Sequence, residues 1–207
     1  MSLDPKENRE RFVGILRSTE IDNIESIITY LDELKFFDAP ASVRNHYNFP
    51  GGLAMHSLNV YDMAMAIRES IIKMRPDLES QLAPESVAIT ALLHDICKAD
   101  IYRLVKRRQR NEIGTWEDIE SYEVDYSDFP VGHGEKSVMM LLRAGLDLED
   151  DEIFAIRWHM GPWDLPAQSI EMDRSYRKAQ EKSPLVALIH TADTLAAQIL
   201  ERDRVMC

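Results

Sequence analysis

Residues 87–98 read VAITALLHDICK, a mostly apolar run that closes on an adjacent histidine and aspartate, His94 and Asp95. The spacing predicts a helix that begins near Pro84, a residue that suits a first helical turn, and ends at about Lys98. Neighbouring side chains on a helix diverge by about 100°. His94 and Asp95 can therefore reach one metal ion only near a helix end, or with one of them bridging two ions.

Helix-period apolar patterns continue on both sides of this stretch. They cover residues 19–36 (with Thr19 as the cap), 53–74, 135–144, 149–159 and 184–204. Residues 160–175 carry a glycine and two prolines and predict a loop. We therefore expect an all-α fold, a single domain over residues 1–207 with N-terminal helices in residues 1–36.

The apolar period changes once. Residues 101–105 and 120–126 alternate loosely and flank the turn-like residues 111–115, which predicts a β-hairpin inserted at about 101–126. The hairpin carries a basic run, made up of Lys106, Arg107, Arg108 and Arg110. This run is either a flap that attracts an anionic substrate or a solvated edge whose charges discourage strand pairing, and the second interpretation is favoured.

Composition limits the classes of function. The net charge of −12 disfavours general nucleic-acid binding, although a small phosphorylated substrate remains compatible because a metal ion inverts the local field. Only two cysteines occur, Cys97 and Cys207, so no disulfide framework is expected. Without a signal peptide or an apolar stretch of about 20 residues, the sequence predicts a cytoplasmic protein with no membrane contact.

Candidate metal ligands surround His94 and Asp95 along the chain. They are His56, His133, His159 and Asp193. Imidazole nitrogen and carboxylate oxygen bind divalent ions such as Mn, Fe, Co, Ni or Zn. Taken alone, His56 could be a hydrogen-bonded core residue, His159 a charge that completes a helix end, and Asp193 a solvent-facing carboxylate. Together they predict a site for one or two divalent metal ions, and hence an enzyme.

The order of these residues closely resembles the HD-domain superfamily of metal-dependent phosphohydrolases, in the branch with extra histidines before the last aspartate: His56, His94-Asp95, His133, His159 and Asp193. Residues 45–57, NHYNFPGGLAMHS, also look like the segment that leads to the first ligand in bacterial HD hydrolases. The resemblance covers approximately residues 37–200, the expected metal-binding core, and implies an HD-type helical bundle.

The resemblance also implies a role for each residue. The four ligands of a first ion would be His56, His94, Asp95 and Asp193. In binuclear members a second ion is held by the counterparts of His133 and His159, with Asp95 as the bridge. A metal-activated hydroxide would then hydrolyse a nucleotide or another small phosphate ester or diester. Asp95, Lys98 and His133 would be the catalytic residues, with Lys98 facing the substrate phosphate.

Further substrate contacts are expected from Lys136, Arg157 and His46, and His190 could line the same pocket. For Lys136 and Arg157, a solvated surface cation is an equally good interpretation. The chain lacks the Gly-Tyr-Pro signature of cyclic-dinucleotide phosphodiesterases, and Met160 stands where some of them have a further histidine. Both departures disfavour a cyclic dinucleotide as the substrate.

Two alternatives share the ligand order. HD-like proteins such as inositol oxygenase hold two irons on a similar ligand set, which would make the chain a di-iron oxygenase. The site could also belong to a non-catalytic module that binds a metal or a nucleotide. The open segment around His133, between Gly132 and Gly134, and the presence of Lys98 argue against a closed structural site. The sequence leaves the oligomeric state open.

Overall fold

Helices make up most of the fold. The structure, a computed structural model, describes residues 4–111, 113–164 and 169–202. The helices are α1 (Pro5–Ser18), α2 (Ile24–Glu33), α3 (Gly52–Met74), α4 (Pro84–Leu93), α5 (Cys97–Ile101), α6 (His133–Arg143), α7 (Asp150–Arg157), α8 (Ile170–Lys182) and α9 (Pro184–Leu195). Two strands, β1 (Tyr102–Arg110) and β2 (Trp116–Val124), form an antiparallel hairpin between α5 and α6. The predicted all-α class with an inserted hairpin is confirmed.

The centre of the fold is formed by α3, α4 and α9. Helix α4 is buried from Val87 to Leu93, as expected for a helix that is apolar on every side. Helix α3 is buried from Gly52 to Val60, and α9 packs against both. Their shared core includes Val60, Ala64, Val87, Ala91, Leu185, Leu188, Ile189 and Ala192. These helices give His56, His94 and Asp193 fixed backbone positions.

The N-terminal helices cover the other side of α3 and α4. The rings of Phe12 and Phe36 lie 5.2 Å apart between centroids, and each lies 5.4 Å from Phe37. Phe12 and Phe36 are fully buried, and each such side chain contributes about 1.5–3 kcal/mol through burial. This aromatic cluster therefore anchors α1 to the helices that carry the first predicted ligands.

The hairpin pairs its basic strand with an acidic one. In the register, Lys106 lies opposite Glu120 and Arg108 opposite Asp118. Arg107 Nη2 lies 3.0 Å from a carboxylate oxygen of Glu123. Residues 111 and 115 close the turn through a backbone hydrogen bond of 2.9 Å. The strands are longer than predicted, and their exposed charges largely compensate one another.

The N-terminal helix boundary differs from the prediction. Thr19 closes α1, and its hydroxyl donates to the carbonyl of Leu16 at 2.7 Å instead of capping a following helix. Helix α2 begins only at Ile24, after Glu20 and Asn23 adopt φ angles of 54° and 65°. Neither residue is glycine or proline, so no strong local signal marks this break in the sequence.

The predicted loop over residues 160–175 also needs correction. Residues Gly161–Asp164 form a 3₁₀ turn, and α8 begins at Ile170, where the Ser169 hydroxyl accepts from the backbone N–H of Met172. Residues 165–168 lie outside the described part. Helix α8 is strongly charged and buries mainly Tyr176 and Ala179, so it contains few apolar residues from which a helix could be predicted. The many charged residues on its exposed face made this segment resemble a loop, so the helix was not predicted.

The end of the chain also departs from a regular helix. The predicted helix over residues 184–204 is α9 followed by a π-helical turn, Ala196–Leu200, and residues 203–204 lie outside the described part. Among the described residues, no single helix has the length and apolarity to cross a membrane. Within the same residues, α8 and Pro184–Leu200 meet those criteria when taken together, as a pair bent by 105°.

Candidate metal centre

Asp95 is the point on which the predicted ligands converge. Its Oδ1 atom lies 2.6 Å from His133 Nε2 and 3.3 Å from His159 Nε2. Its Oδ2 atom lies 3.3 Å from His94 Nε2 and 3.5 Å from His56 Nε2. The Asp95 side chain is only 3% exposed. Four imidazoles from separate parts of the chain thus surround one buried carboxylate.

A break after α4 brings His94 and Asp95 to the same site. The predicted helix over residues 84–98 ends at Leu93, and residues 94–96 form a tight turn before α5. Within it, the N–H of Ile96 donates to Leu93 O at 3.2 Å, and that of Lys98 donates to Asp95 O at 2.9 Å. His94 and Asp95 can share a site because α4 ends just before them and α5 begins just after them, so both lie in the turn.

His56 and Asp193 approach from the two long central helices. His56 Nε2 lies 3.2 Å from Asp193 Oδ1, without the geometry of a hydrogen bond. The Asp193 side chain is 16% exposed and is directed at the cluster, so it does not face open solvent. Burial alone would raise the pKa of Asp193, but neighbouring His56 outweighs it, and the pKa falls well below its usual range.

His133 owes its position to the glycine that follows it. A Cβ atom on Gly134 would stand 2.2 Å from the carbonyl oxygen of Arg157, so only glycine allows the start of α6 to approach the end of α7. His133 Nδ1 lies 3.3 Å from the sulfur of Cys97. Burial alone would lower the pKa of His133; Cys97 and Asp95 outweigh it and raise the pKa to about 10.

His159 lies in the turn that follows α7 and is fully buried. Its Nδ1–H donates to the carbonyl of Ile156 at 2.7 Å. Its own carbonyl accepts a hydrogen bond of 2.7 Å from Nδ1 of His190, the other histidine expected near the pocket. His190 thereby ties α9 to the segment that carries His159.

The buried imidazoles have the hydrogen-bonding pattern of metal ligands. His94 Nδ1 and His159 Nδ1 each donate to a backbone carbonyl, and His56 Nδ1 donates to Glu201. The opposite nitrogen, Nε2, is buried in all three residues and has no hydrogen-bond partner. A partner on one nitrogen fixes the tautomer and leaves a lone pair on the other. The donor set therefore fits a divalent cation.

Several triads in the described part of the chain could hold an ion. Asp95 belongs to two of them, one with His56 and His94, the other with His133 and His159. A third joins His94, His159 and Asp193. All six predicted metal ligands are therefore brought together.

Glu201 belongs to the same centre, although sequence reasoning missed it. Its carboxylate oxygens each lie 3.0 Å from His56 Nδ1, and one accepts from Asn59 Nδ2 at 3.0 Å. The glutamate side chain is fully buried. Burial alone would raise the pKa of Glu201; His56 and Asn59 outweigh it and lower the pKa. Glu201 therefore orients His56, and a fourth triad unites both with His46.

The cluster carries a local negative field. Burial alone would lower the pKa of His56, but Asp193, Asp95 and Glu201 outweigh it and raise the pKa well above its usual range. Burial alone would likewise lower the pKa of Lys98, whose Nζ lies 2.5 Å from Asp95 Oδ2, and that contact raises it instead. Three buried carboxylates thus attract positive charge to this point.

A pocket of about 210 Å³ opens onto the cluster. Among the expected substrate contacts, Lys98 and His46 line it, and so does His190. Lys136 is buried elsewhere, in an ion pair with Asp100. Arg157 pairs with Glu135 at 2.5 Å and stacks 3.9 Å from the centre of the Trp158 ring. The structure therefore does not bring Lys136 or Arg157 to this pocket.

Comparison with known proteins adds independent information. The family model of the HD domain matches residues 53–198, more than half of the chain. The chain belongs to the HD-domain family. The matched residues run from the start of α3 into the π-helical turn and so contain all six predicted metal ligands. The HD domain membership confirms the resemblance seen in the sequence.

Curated relatives carry a similar segment. A 3'-5' exoribonuclease YhaM of Geobacillus sp. (strain WCH70) is 33% identical over 92 residues, which are 43% of this chain and 26% of the relative. The protein of the same name from Bacillus subtilis (strain 168) is 28% identical over 88 residues, 42% of this chain and 26% of the relative. The match thus spans about a quarter of each relative. No solved structure matches the chain. These findings support the predicted class, a metal-dependent phosphohydrolase.

Proposed function

We propose that the chain is a phosphodiesterase that uses two divalent ions to remove nucleotides from the 3′ end of RNA. The observation that carries this proposal is the convergence of four imidazoles on Asp95, three of them with an unpartnered, buried Nε2. The names of the curated relatives supply the substrate class. Asp95 belongs to two separate triads, which supports two ions with Asp95 between them.

The residues around the pocket and the bound ions would have separate roles in hydrolysis. Bound divalent ions would supply a water of lowered pKa and would withdraw charge from a phosphate. Lys98 remains protonated because Asp95 raises its pKa, so it can offer a cation to a phosphate oxygen. His133 lies at the more open edge of the cluster, with 16% of its side chain exposed. There it would help to hold the second ion, together with Asp95 and His159 of the same triad.

Pocket size supports an enzyme that acts on chain ends. A volume of about 210 Å³ lies below the roughly 300–1,000 Å³ of a typical small-molecule site, so it suits a terminal phosphate and sugar better than a duplex. Thr194 and Gln198 line its outer wall and provide polar groups for such a terminus.

Net charge led us to expect little nucleic-acid binding, and the relatives' named activity weighs against that expectation. A charge of −12 opposes contact with phosphates over the whole surface. It does not oppose contact within a metal-lined pocket, because bound cations invert the local field. The proposal therefore limits RNA contact to the pocket and its immediate surroundings.

The first test is metal content and turnover of protein purified without chelators. Elemental analysis should find two divalent ions per chain, and a 5′-labelled single-stranded RNA should shorten one nucleotide at a time. The same RNA with a blocked 3′ end serves as the control and should resist. Iron-dependent oxygen consumption without RNA shortening would instead favour the oxygenase alternative and contradict the proposal. Metal binding without any turnover would favour a non-catalytic module.

A further inference from the structure

A second cavity continues outward from the metal pocket. It is a groove of about 600 Å³ between the loop that precedes α3 and the π-helical turn. His46, Ala197 and Gln198 line both the groove and the pocket. A chain whose end occupies the pocket can therefore run directly into the groove.

An aromatic pair stands along this groove. The rings of Tyr47 and Phe49 lie 5.4 Å apart between centroids, inclined at 53°. The Tyr47 hydroxyl accepts a hydrogen bond of 3.3 Å from Asn59 Nδ2, which fixes that ring against α3. Phe49 is 38% exposed, unlike the buried phenylalanines of the N-terminal core. An exposed ring on a fixed support is a surface on which a planar group can stack.

The loop that carries the aromatic pair is held by its own hydrogen bonds. The Ser42 hydroxyl donates to His46 O and accepts from the N–H of Asn45, both at 2.8 Å. The carbonyl of Tyr47 accepts from Ala41 N at 3.0 Å. A Cβ on Gly52 would lie 2.1 Å from that same carbonyl, so glycine alone permits this close packing. A platform ordered in advance loses little entropy when a ligand binds.

The groove departs from the acidic character of the molecule. The chain has 36 acidic residues, yet Glu201 is the single acidic residue among those described along this groove. Its carboxylate is buried and already bonded to His56 and Asn59. Arg202 lines the same groove and is exposed. A phosphate backbone therefore meets little repulsion here.

We propose that the groove binds the single-stranded nucleotides that precede the cleaved 3′ bond, with one base stacked on Phe49. This inference rests on the proposed function, since it takes the metal pocket as the position of the RNA 3′ end. The exposed amide side chains of Asn45 and Asn48 lie beside the rings and can contact sugars or base edges. Stacking does not depend on which base is present, so binding should tolerate any sequence.

The test is the affinity of a single-stranded six-nucleotide RNA whose phosphorothioate linkages resist hydrolysis, measured by fluorescence anisotropy with the metal-loaded chain. Phe49→Leu removes the ring but keeps an apolar side chain, and it should weaken binding roughly 5- to 100-fold. Phe49→Tyr keeps a ring and should stay within about twofold of the unmodified chain. Equal losses in both variants would overturn stacking on Phe49.

A matched control is the exposed aromatic residue on the hairpin. Trp116 is 54% exposed, and Trp116→Leu should leave the affinity unchanged. If Trp116→Leu weakens binding and Phe49→Leu does not, the hairpin is the RNA surface and the inference is wrong. Hydrolysis of bis(4-nitrophenyl) phosphate by the unmodified chain is measured separately. Its absence would contradict the proposed function, while unchanged RNA affinity of Phe49→Leu would contradict only the groove.

Discussion

The candidate metal centre and the hairpin differ in whether their polar groups have hydrogen-bond or ion-pair partners. In the centre, buried Nε2 atoms of His56, His94 and His159 have no hydrogen-bond partner. On the hairpin, Arg107 and Arg108 are exposed and have carboxylate partners on the neighbouring strand. Charge is abundant on the hairpin but is compensated there. In the centre, by contrast, these buried nitrogens keep lone pairs that can bind a cation.

This difference teaches that an unsatisfied buried group is a better guide to function than a run of charge. A buried polar atom without a partner costs about 1–3 kcal/mol, so such atoms are rarely retained without a role. An exposed ion pair contributes about 0–1 kcal/mol and has little consequence. Substitutions in the two regions should therefore have very different effects.

The largest effect is expected from Asp95→Ala. Asp95 joins two candidate ligand triads, so its loss should remove bound metal and lower kcat/KM by a factor on the order of 1,000. Elemental analysis, RNA hydrolysis and circular dichroism together test this expectation. Asp62→Ala is the control, because Asp62 forms an exposed ion pair with Arg11 and should leave metal and rate unchanged. Global unfolding of Asp95→Ala would instead assign the ion a structural role.

The next effect separates two buried lysines. Lys98→Met should retain metal but lower kcat/KM about 10- to 100-fold, because a cation is lost from the pocket. Lys136→Met should keep the rate per folded molecule and lower the free energy of unfolding by roughly 1–3 kcal/mol, because Asp100 loses its partner. Rates and urea denaturation measured on both variants give the comparison. If Lys136→Met lowered the rate and Lys98→Met lowered only stability, Lys136 and not Lys98 would contact the substrate.

A smaller effect is expected from Glu201→Gln. The substitution removes the negative charge next to His56 Nδ1 but leaves the predicted metal ligands in place. Metal affinity should therefore fall about 10- to 100-fold. Competition with a coloured chelator measures this affinity without any activity assay. Glu181→Gln, on the exposed face of α8, is the matched control. Equal affinity in the Glu201 variant and the unmodified chain would contradict an orienting role.

The smallest effect is expected on the hairpin. Joint substitution Arg107→Gln and Arg108→Gln should change the free energy of unfolding by less than about 1 kcal/mol, since both ion pairs are exposed. The rate of RNA shortening should change less than about twofold. Urea denaturation and the rate at two salt concentrations test this. A tenfold loss of rate at low salt that shrinks as the salt concentration rises would show that the basic strand contacts the substrate.

Residue type and order were enough to predict which side chains cluster, because His and Asp are uncommon within apolar helices. The predicted set from His56 to Asp193 does meet around Asp95. Glu201 could not be found in this way. It lies eight positions after Asp193, which on a regular helix places it about 80° away, whereas the π-helical turn takes up roughly one extra residue and rotates it back.

The sequence also does not show which distant residues form ion pairs with each other. Lys136 and Arg157 were sensible phosphate contacts by charge and position, but the sequence does not reveal that Asp100 and Glu135 pair with them. Ion pairs between distant residues depend on packing and not on local pattern. The fold class was predictable because the apolar period recurs over many helices, while single boundaries such as Thr19 depend on one or two backbone angles.

The hairpin leaves and rejoins the helical bundle at a single point. At its base, the N–H of Asp125 donates to the carbonyl of Ile101 at 2.8 Å. The route from Asp95 to His133 therefore does not depend on how far the strands extend. Strand length is free to vary, and the exposed turn near Gly114 is a natural place to attach a probe or a second protein. The hairpin can therefore be shortened, lengthened or replaced without moving Asp95 or His133.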